Sequence, residues 1–171
     1  MTGDQRRSAV LKLLEESDKP ISATAIANKF SVTRQIIVSD VALLRASGAE
    51  IRALHRGYVL EKRESGRISK RIVCRHNEDQ TADEFYAVVD NGGCVEDVIV
   101  EHDLYGEICA KLDISSRYEA DEFMEASSQS KSAHLSILTD GLHIHTVSVK
   151  NTKSMDKIIE ALTAKGIMVS D

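Results

Sequence analysis

A polar, charged segment near the middle of the chain does most to limit the folds that it can adopt. Residues 61–71 read EKRESGRISKR and offer almost no large apolar side chain that a core could bury. A stretch of this composition is typical of a linker. The chain has 171 residues, which is enough for two small domains. We therefore expect two domains, residues 1–65 and 66–171, that each bury a core of their own.

The charge of the chain changes sign at the same place. Residues 1–70 carry 13 Lys and Arg against 8 Asp and Glu, whereas residues 71–171 carry 9 against 19, within a net charge of −5. A basic part joined to an acidic part is typical of a polyanion-binding module attached to a regulatory module. Chance variation in composition is the alternative, but the coincidence with the polar segment favours the modular interpretation.

The composition is that of an ordinary globular protein, with 42% apolar and 29% charged residues. No apolar run approaches the roughly 18 residues of a membrane helix, and the N-terminus lacks the apolar stretch of a secretory signal. The three cysteines, Cys74, Cys94 and Cys109, are far apart and odd in number, so we expect reduced thiols in the core. These features predict a cytoplasmic protein without a membrane partner.

The first 60 residues have the pattern of a winged helix-turn-helix domain. Apolar spacing predicts helices over residues 4–17, 22–30 and 33–48. Pro20 separates the first two helices, since it cannot continue a helix. Ser22 can cap the second helix, and Ser31 or Thr33 can cap the third. Residues 49–60 alternate in polarity and predict a β-hairpin, which would be the wing.

In this fold the third helix lies in the major groove of DNA. Its N-terminal and outward side chains are polar types that suit base edges and phosphates. The candidate DNA contacts are Thr33, Arg34, Gln35, Ser39 and Arg45 on this helix, with Arg52, His55 and Arg56 on the hairpin. Helix-turn-helix units also serve as protein-interaction modules, but the positive charge of this part favours DNA.

Residues 71–171 predict an α+β domain in which helices pack against a largely antiparallel sheet. The predicted strands cover residues 71–76, 94–102 and 167–170, with a hairpin over 134–149 around an Asp-Gly turn. The predicted helices cover residues 81–92, 104–114, 116–129 and 154–166.

Histidines gather at the strand ends of this second domain. His143 and His145 stand two apart in a predicted strand, so both side chains point to the same face. His76 ends the first strand, and Glu84 lies at the start of the next helix. Imidazoles and a carboxylate are the ligands that Zn, Ni, Fe or Cu sites use.

Spacing alone does not decide between a metal site and ordinary strand-end histidines. Glu84 would also be favoured at a helix N-terminus by the macrodipole, and Asp83 could replace it as a ligand. His102 ends the second predicted strand, and His134 begins the strand that would pair with the strand of His143. Both are further candidates.

The two parts together resemble a known family. In the first part the resemblance rests on SVTRQIIVSDVALLRASGAEIRALHRGYVL, and in the second on RHNEDQTADEFYAVVDNGGCVEDVIVEHDLYG and GLHIHTVSV. The family is that of niacin-responsive transcription repressors, in which a winged helix-turn-helix is joined to a three-histidine (3H) domain. One position departs from the pattern: His55 precedes Arg-Gly-Tyr, where the family often has a proline that would stiffen the wing.

The resemblance implies a homodimer that binds operator DNA, with nicotinic acid as co-repressor and control of genes for NAD synthesis or niacin uptake. It also implies one divalent transition metal per chain, Ni, Zn or Fe. Carried over, the metal ligands fall on His76, Glu84, His143 and His145. We expect His102 and Arg75 near the effector, with Arg75 as a partner of its carboxylate.

Two other interpretations of the histidine cluster are open. A metalloenzyme with an attached DNA-binding module is the rival class, because three histidines and a glutamate also suit hydrolysis or oxygen chemistry. No obvious general base accompanies the cluster, although Asp83 and Asp103 are candidates, so we predict a regulator without catalytic residues. In the third interpretation the metal only stabilises the fold, and its removal would unfold the domain.

Overall fold

The computed structural model describes residues 1–61, 66–130 and 133–169, and the chain divides into two compact units, residues 1–63 and 64–171. The end of the predicted linker, residues 68–71, is the start of a strand that begins at Ile68, and residues 62–65 of that prediction lie outside the described residues. None of the helices in the described ranges is long and apolar enough to cross a membrane.

The first unit consists of three helices and an antiparallel hairpin. These are α1 (Gly3–Glu15), α2 (Ala23–Phe30), α3 (Arg34–Ala46), β1 (Ile51–Leu54) and β2 (Gly57–Leu60). The Ser22 hydroxyl caps α2 by accepting from the backbone N–H of Ala25. Of the two candidate caps for α3, Thr33 is the one used, whereas Ser31 ends α2 in a left-handed conformation. The side chains that can satisfy free N–H groups thus set both helix starts.

The hairpin is held against the helices by backbone pairing and close approach. Ile21 forms an isolated antiparallel bridge with Tyr58. Gly57 has a φ of 133°, and a Cβ at this position would lie 2.3 Å from the Ile21 carbonyl oxygen. Only glycine allows this approach. The Arg45 guanidinium adds a bond from its Nε to the Ile51 carbonyl, 2.7 Å.

A buried carboxylate joins α1 to α3 behind the apolar contacts of the first unit. Asp40 is 2% exposed and accepts from the Nε of Arg6 at 2.5 Å, and an Arg7 nitrogen lies 3.6 Å from its other oxygen. Asp40 shares the inner face of α3 with Ile37 and Val41. The ion pairs therefore fix the position of α3 relative to α1.

The second unit is a four-stranded antiparallel sheet with three helices. Its elements are β3 (Ile68–Arg75), α4 (Thr81–Val89), β4 (Cys94–His102), β5 (Gly106–Ile114), α5 (Arg117–Gln129), β6 (Leu142–Val149) and α6 (Thr152–Ala164), with short 3-10 helices over Glu78–Gln80 and Leu135–Thr139. The strand order is β3-β6-β4-β5. One core forms between side chains of the sheet, such as Ile72 and Val147, and of the helices, such as Phe85 and Ile158. The predicted α+β class is confirmed.

The helix predicted over residues 104–114 is wrong, because this segment is β5. Burial in β5 alternates towards its end, with Leu112 and Ile114 buried and Asp113 between them. Ile108 and Leu112 are spaced four apart, which also suits a helix face. Pairing with β4 from Gly106 to Lys111, and again at Ile114 after a bulge, decides for the strand.

The hairpin predicted over residues 134–149 is half right. Asp140 and Gly141 take left-handed conformations, φ 52° and 80°, as the Asp-Gly turn signal predicts. The residues before them form the 3-10 helix Leu135–Thr139, so His134 starts no strand. β6 pairs with β3 and β4 instead. Of the predicted last strand, the described residues 167–169 form one bridge, between Met168 and Cys74, and residue 170 lies outside the described residues.

Replacing Asp40 with alanine should destabilise the first unit by about 3 kcal/mol, because it leaves Arg6 partly buried without its anion. Thermal unfolding of the full chain, followed by circular dichroism, measures the effect. Asp4→Ala is the matched control, since Asp4 also binds an arginine of α1 but its side chain is 90% exposed, and it should change stability by less than about 1 kcal/mol. Equal effects of the two substitutions would contradict this role of Asp40.

Candidate metal centre and nucleic-acid interface

Strand register brings the histidines of the second unit together. His143 and His145 lie on the core-facing side of β6, opposite Cys74 and Ile72 of β3. His76 follows two residues after Cys74 and therefore continues the same face of β3. All three imidazoles are buried, with His143 and His145 only 3% and 4% exposed.

Glu84, in the first turn of α4, completes the cluster. It is 1% exposed, and its carboxylate faces all three imidazoles. The shortest distances from Nε2 to a Glu84 oxygen are 2.7 Å for His76, 3.2 Å for His143 and 3.2 Å for His145. Asp83, the alternative candidate, is exposed and binds Lys165 instead. The structure thus brings together the four residues expected to bind a metal.

Each imidazole is held from behind by a backbone carbonyl. In all three rings Nδ1 donates to a backbone carbonyl. His76 donates to Asn77 at 2.6 Å, His143 to Gly141 at 2.8 Å, and His145 to Asp97 at 2.5 Å. A carbonyl only accepts, so the proton of each neutral ring sits on Nδ1 and the Nε2 lone pair points at Glu84. Carbonyl partners of this kind orient metal-binding histidines in proteins.

The cluster needs a cation to be stable. An ionised carboxylate and three Nε2 lone pairs are all acceptors, and a buried acceptor without a donor costs free energy. Nitrogen and oxygen ligands of one zinc-like ion, bound at about 2.0–2.2 Å, lie roughly 3 Å apart. The distances of 2.7–3.2 Å between Nε2 and the Glu84 oxygens match that separation. The donor set therefore fits a divalent transition metal.

Without a metal, protons take the place of the cation. Burial by itself would raise the pKa of Glu84, but the charge of His145 and hydrogen bonds from the three imidazoles hold it well below its usual value. Burial lowers the pKa of His76 and of His145, yet the interaction with Glu84 outweighs it, so both pKa values are raised. Protons and a metal thus compete for the same ring nitrogens.

Cys74, which the sequence predicts only as a core residue, is a further potential metal ligand. A Glu84 oxygen, a His143 nitrogen and the Cys74 sulfur lie within 4.8 Å of one another. Burial, and then the Glu84 charge, raise the pKa of the Cys74 thiol, so the sulfur stays protonated beside the carboxylate. Alternation along β3 could have indicated it, since Cys74 is two residues from His76. Cys109, expected in the core, is exposed.

Gly141 makes the close approach of β6 to His76 possible. Its φ is 80°, and a Cβ there would lie 2.4 Å from the His76 carbonyl oxygen. The Gly141 carbonyl accepts from the backbone N–H of His76 and from Nδ1 of His143. One glycine therefore sets the positions of two histidines.

Two cavities lie beside the cluster. The inner one, about 40 Å³, is lined by the four clustered residues and by Thr81, Phe85, Val98, Leu112, Phe123, His134, Leu135 and Ser136. The outer one, about 440 Å³, is lined by His76, Arg75, Asn77, Glu78, Ser136, Ile137, Asp140 and Gly141.

The candidate effector residues lie in different places. Arg75 borders the outer cavity. His102 lines neither cavity, because it ends β4, where its ring contacts Tyr105 and its Nδ1 accepts from the N–H of Leu104. His134 lies on the wall of the inner cavity, with its ring against Phe123.

The candidate DNA contacts of α3 lie in its first half, except Arg45, which lies in its last turn. Arg34, Gln35 and Ser39 are exposed, whereas Thr33 caps the helix with its hydroxyl. Arg45 is exposed, but its Nε is bound to β1 and its guanidinium lies 5.7 Å from the centre of the Tyr58 ring. On the hairpin, Arg52 pairs with Glu61, His55 is exposed and Arg56 is half-buried.

Comparisons with known proteins cover both units. A model of the 3H-domain family matches residues 69–171, and a helix-turn-helix domain model matches residues 6–59. The probable transcription repressor NiaR of Thermotoga maritima is 37% identical over 167 residues, 98% of this chain and 95% of that protein. The transcription repressor NadR of Bacillus subtilis is 34% identical over 174 residues, 100% of this chain and 97% of that protein.

Gly141→Ala should lower metal affinity about tenfold or more, because the new Cβ must displace the His76 carbonyl and the carbonyl that orients His143. Competition with a chromophoric chelator measures the affinity. Gly106→Ala is the matched control, since Gly106 also has a positive φ, 70°, but a Cβ there meets nothing within 4 Å. A similar loss of affinity in both variants would mean that backbone strain, not the approach to His76, matters.

The metal-free second unit should be most stable between about pH 4.5 and 6.5. These limits are the ordinary pKa values of a glutamate and of a histidine side chain. The raised pKa values of His76 and His145 contribute stability that is present below 6.5 and lost as the pH rises through them. The lowered pKa of Glu84 contributes stability that is lost only in stronger acid.

Metal binding displaces those protons, so the rise in melting temperature on adding metal should grow as the pH increases. Melting curves at several pH values, with and without metal, measure both effects. Glu84→Gln should flatten the dependence of the metal-free protein above pH 6.5. A metal-free protein that becomes more stable on going from pH 6 to 8 would disprove this electrostatic account.

Proposed function

Since the chain belongs to the family of transcription repressors that join a helix-turn-helix domain to a 3H domain, we propose that it is a niacin-responsive member. Nicotinic acid binds the second unit and controls how the first binds the operators of genes for NAD synthesis or niacin uptake. The chain is a regulator and not an enzyme. The observation that carries the proposal is that three buried imidazoles surround the Glu84 carboxylate.

We infer that His76, Glu84, His143 and His145 hold one divalent transition metal, Ni, Zn or Fe. When bound, the ion supplies the positive charge that offsets the buried carboxylate and attracts an anionic ligand. The carbonyls of Asn77, Gly141 and Asp97 keep the three imidazoles in one tautomer and one orientation. Irving–Williams affinities favour Ni over Fe, whereas metal supply in the cell can reverse that order.

The surroundings of the cluster suit a flat aromatic acid. Phe85, Phe123 and His134 contribute rings to the wall of the inner cavity. Arg75, on the outer cavity, can form a charge-assisted hydrogen bond with a carboxylate. His102 lines neither the inner nor the outer cavity, so its proposed contact with the effector has less support than that of Arg75.

The size of the inner cavity supports a regulatory role. At about 40 Å³ it has room for water, whereas small-molecule sites typically begin at about 300 Å³. An effector that enters the inner cavity must therefore displace part of its wall. The segment that carries His134, Leu135 and Ser136 forms part of that wall: Ser136 also lines the outer cavity, and His134 also lines a third cavity of about 490 Å³.

Displacement of that wall gives the effector different affinities for two geometries of the second unit. Only such a difference allows a ligand to shift an equilibrium. We propose that the protein acts as a homodimer, because helix-turn-helix dimers place two recognition helices about 34 Å apart on one face of DNA. Arg34, Gln35 and Ser39 contact the operator, with Thr33, Arg45 and Arg56 as further contacts.

Nicotinate should bind the metal-loaded protein at micromolar concentration and bind the metal-stripped protein at least tenfold more weakly. Calorimetric titration of both forms, with metal content measured in parallel, tests this. Binding of equal strength in both forms would separate the effector from the metal. An absence of binding in both forms would refute nicotinic acid as the effector and leave the DNA-binding role intact.

Arg75→Gln should weaken nicotinate binding about tenfold in the metal-loaded protein, since one charge-assisted hydrogen bond is lost. Arg71→Gln is the matched control: Arg71 lies four residues earlier on the same strand and pairs with Glu107. Its replacement should leave the affinity unchanged. Equal losses in the two variants would indicate a general effect of positive charge rather than a contact from Arg75.

A further inference from the structure

We propose that Ile36 of α3 recognises thymine in the operator by placing its side chain against the C5-methyl group in the major groove. The proposal concerns sequence preference in the first unit and rests on its binding of DNA, not on nicotinic acid or a metal. It adds an apolar contact to a helix whose candidate contacts from the sequence are all polar.

The Ile36 side chain is not part of the apolar core of the first unit. On α3 the inner face is formed by Ile37, Val41 and Leu44, which are buried, together with Asp40. Ile36 is 37% exposed, and Leu43, two turns further along the same flank, is 53% exposed. A single exposed aliphatic residue is common on protein surfaces. The exposure of Ile36 therefore indicates a contact with DNA only because of its position on α3.

Ile36 stands in the first turn of α3. The Thr33 hydroxyl accepts from the backbone N–H of Ile36 at 3.4 Å, which fixes the start of the helix and the place of Ile36 in it. In helix-turn-helix proteins the N-terminal residues of the second helix of the motif contact base edges. Isoleucine is stiff at χ1 in a helix, so its methyl groups are already oriented before DNA binds.

The neighbouring side chains suit an A·T base pair. Gln35 and Ser39 are exposed on the outward face of α3. Glutamine pairs with the N6 and N7 atoms of adenine, and the thymine opposite presents a methyl group that apolar side chains contact. The acidic residue of α3, Asp40, is buried against α1. The exposed side chains around Ile36 therefore combine the cationic Arg34 with the neutral polar Gln35 and Ser39.

Replacing thymine with uracil in DNA removes the methyl group and leaves base pairing intact. The probe is a duplex selected from a random-sequence pool by the full-length protein and then prepared with thymidine or with deoxyuridine. We expect wild-type protein to bind the uracil duplex about fourfold more weakly for each methyl group contacted. All measurements use one salt concentration, because affinity for DNA depends strongly on salt.

Ile36→Ala should bind the thymine duplex about as weakly as wild-type protein binds the uracil duplex, and should not distinguish the two. Leu43→Ala is the matched control and should keep the full wild-type preference. The salt dependence of Ile36→Ala should equal that of wild-type protein, since no phosphate contact is lost. Ile36→Val, which removes only one methylene, should show a smaller preference and guards against loss of folding in the alanine variant.

Three results would overturn the proposal. Wild-type protein could bind both duplexes equally, which would show that no methyl group is recognised. Ile36→Ala could keep the full preference for thymine, so that the effect of uracil would come from DNA shape or from another residue. If the pool yields no bound duplex either with or without metal and nicotinate, DNA binding itself fails, and the flank of Ile36 and Leu43 has to serve another partner.

Discussion

The buried carboxylate of Glu84 is the group on which the organisation of the second unit depends. Three imidazoles present Nε2 to it, and each of them is already held at Nδ1 by a backbone carbonyl. The rings cannot turn away without losing those bonds, so their lone pairs must share a cation with Glu84. The need for that cation, metal or protons, couples the stability of this unit to its ligands.

The same requirement explains several features of the fold around the cluster. The register between β3 and β6 sets His143 opposite Cys74. Gly141 lets the start of β6 approach His76 closely. The cavity left beside the cluster holds little more than water.

The first unit separates structural and recognition roles on a single helix. Asp40 joins the aliphatic inner face of α3 and anchors it to Arg6. The opposite side exposes Gln35 and Ser39, with Ile36 on its flank. The inner contacts of α3, with the Thr33 cap and the bond from Arg45 to β1, hold the helix in place. They leave the Gln35 and Ser39 side chains exposed.

The sequence by itself determined the two-part plan and the helices of the first unit, because charge and helix caps are local properties. The family and the four clustered residues came from its resemblance to known repressors, not from spacing alone. Only the tertiary structure decided that residues 106–114 form β5 and that His134 starts no strand. It also brought Cys74 to the cluster and placed His102 outside its cavity. Strand pairing and burial depend on residues far apart in the chain, which local patterns do not record.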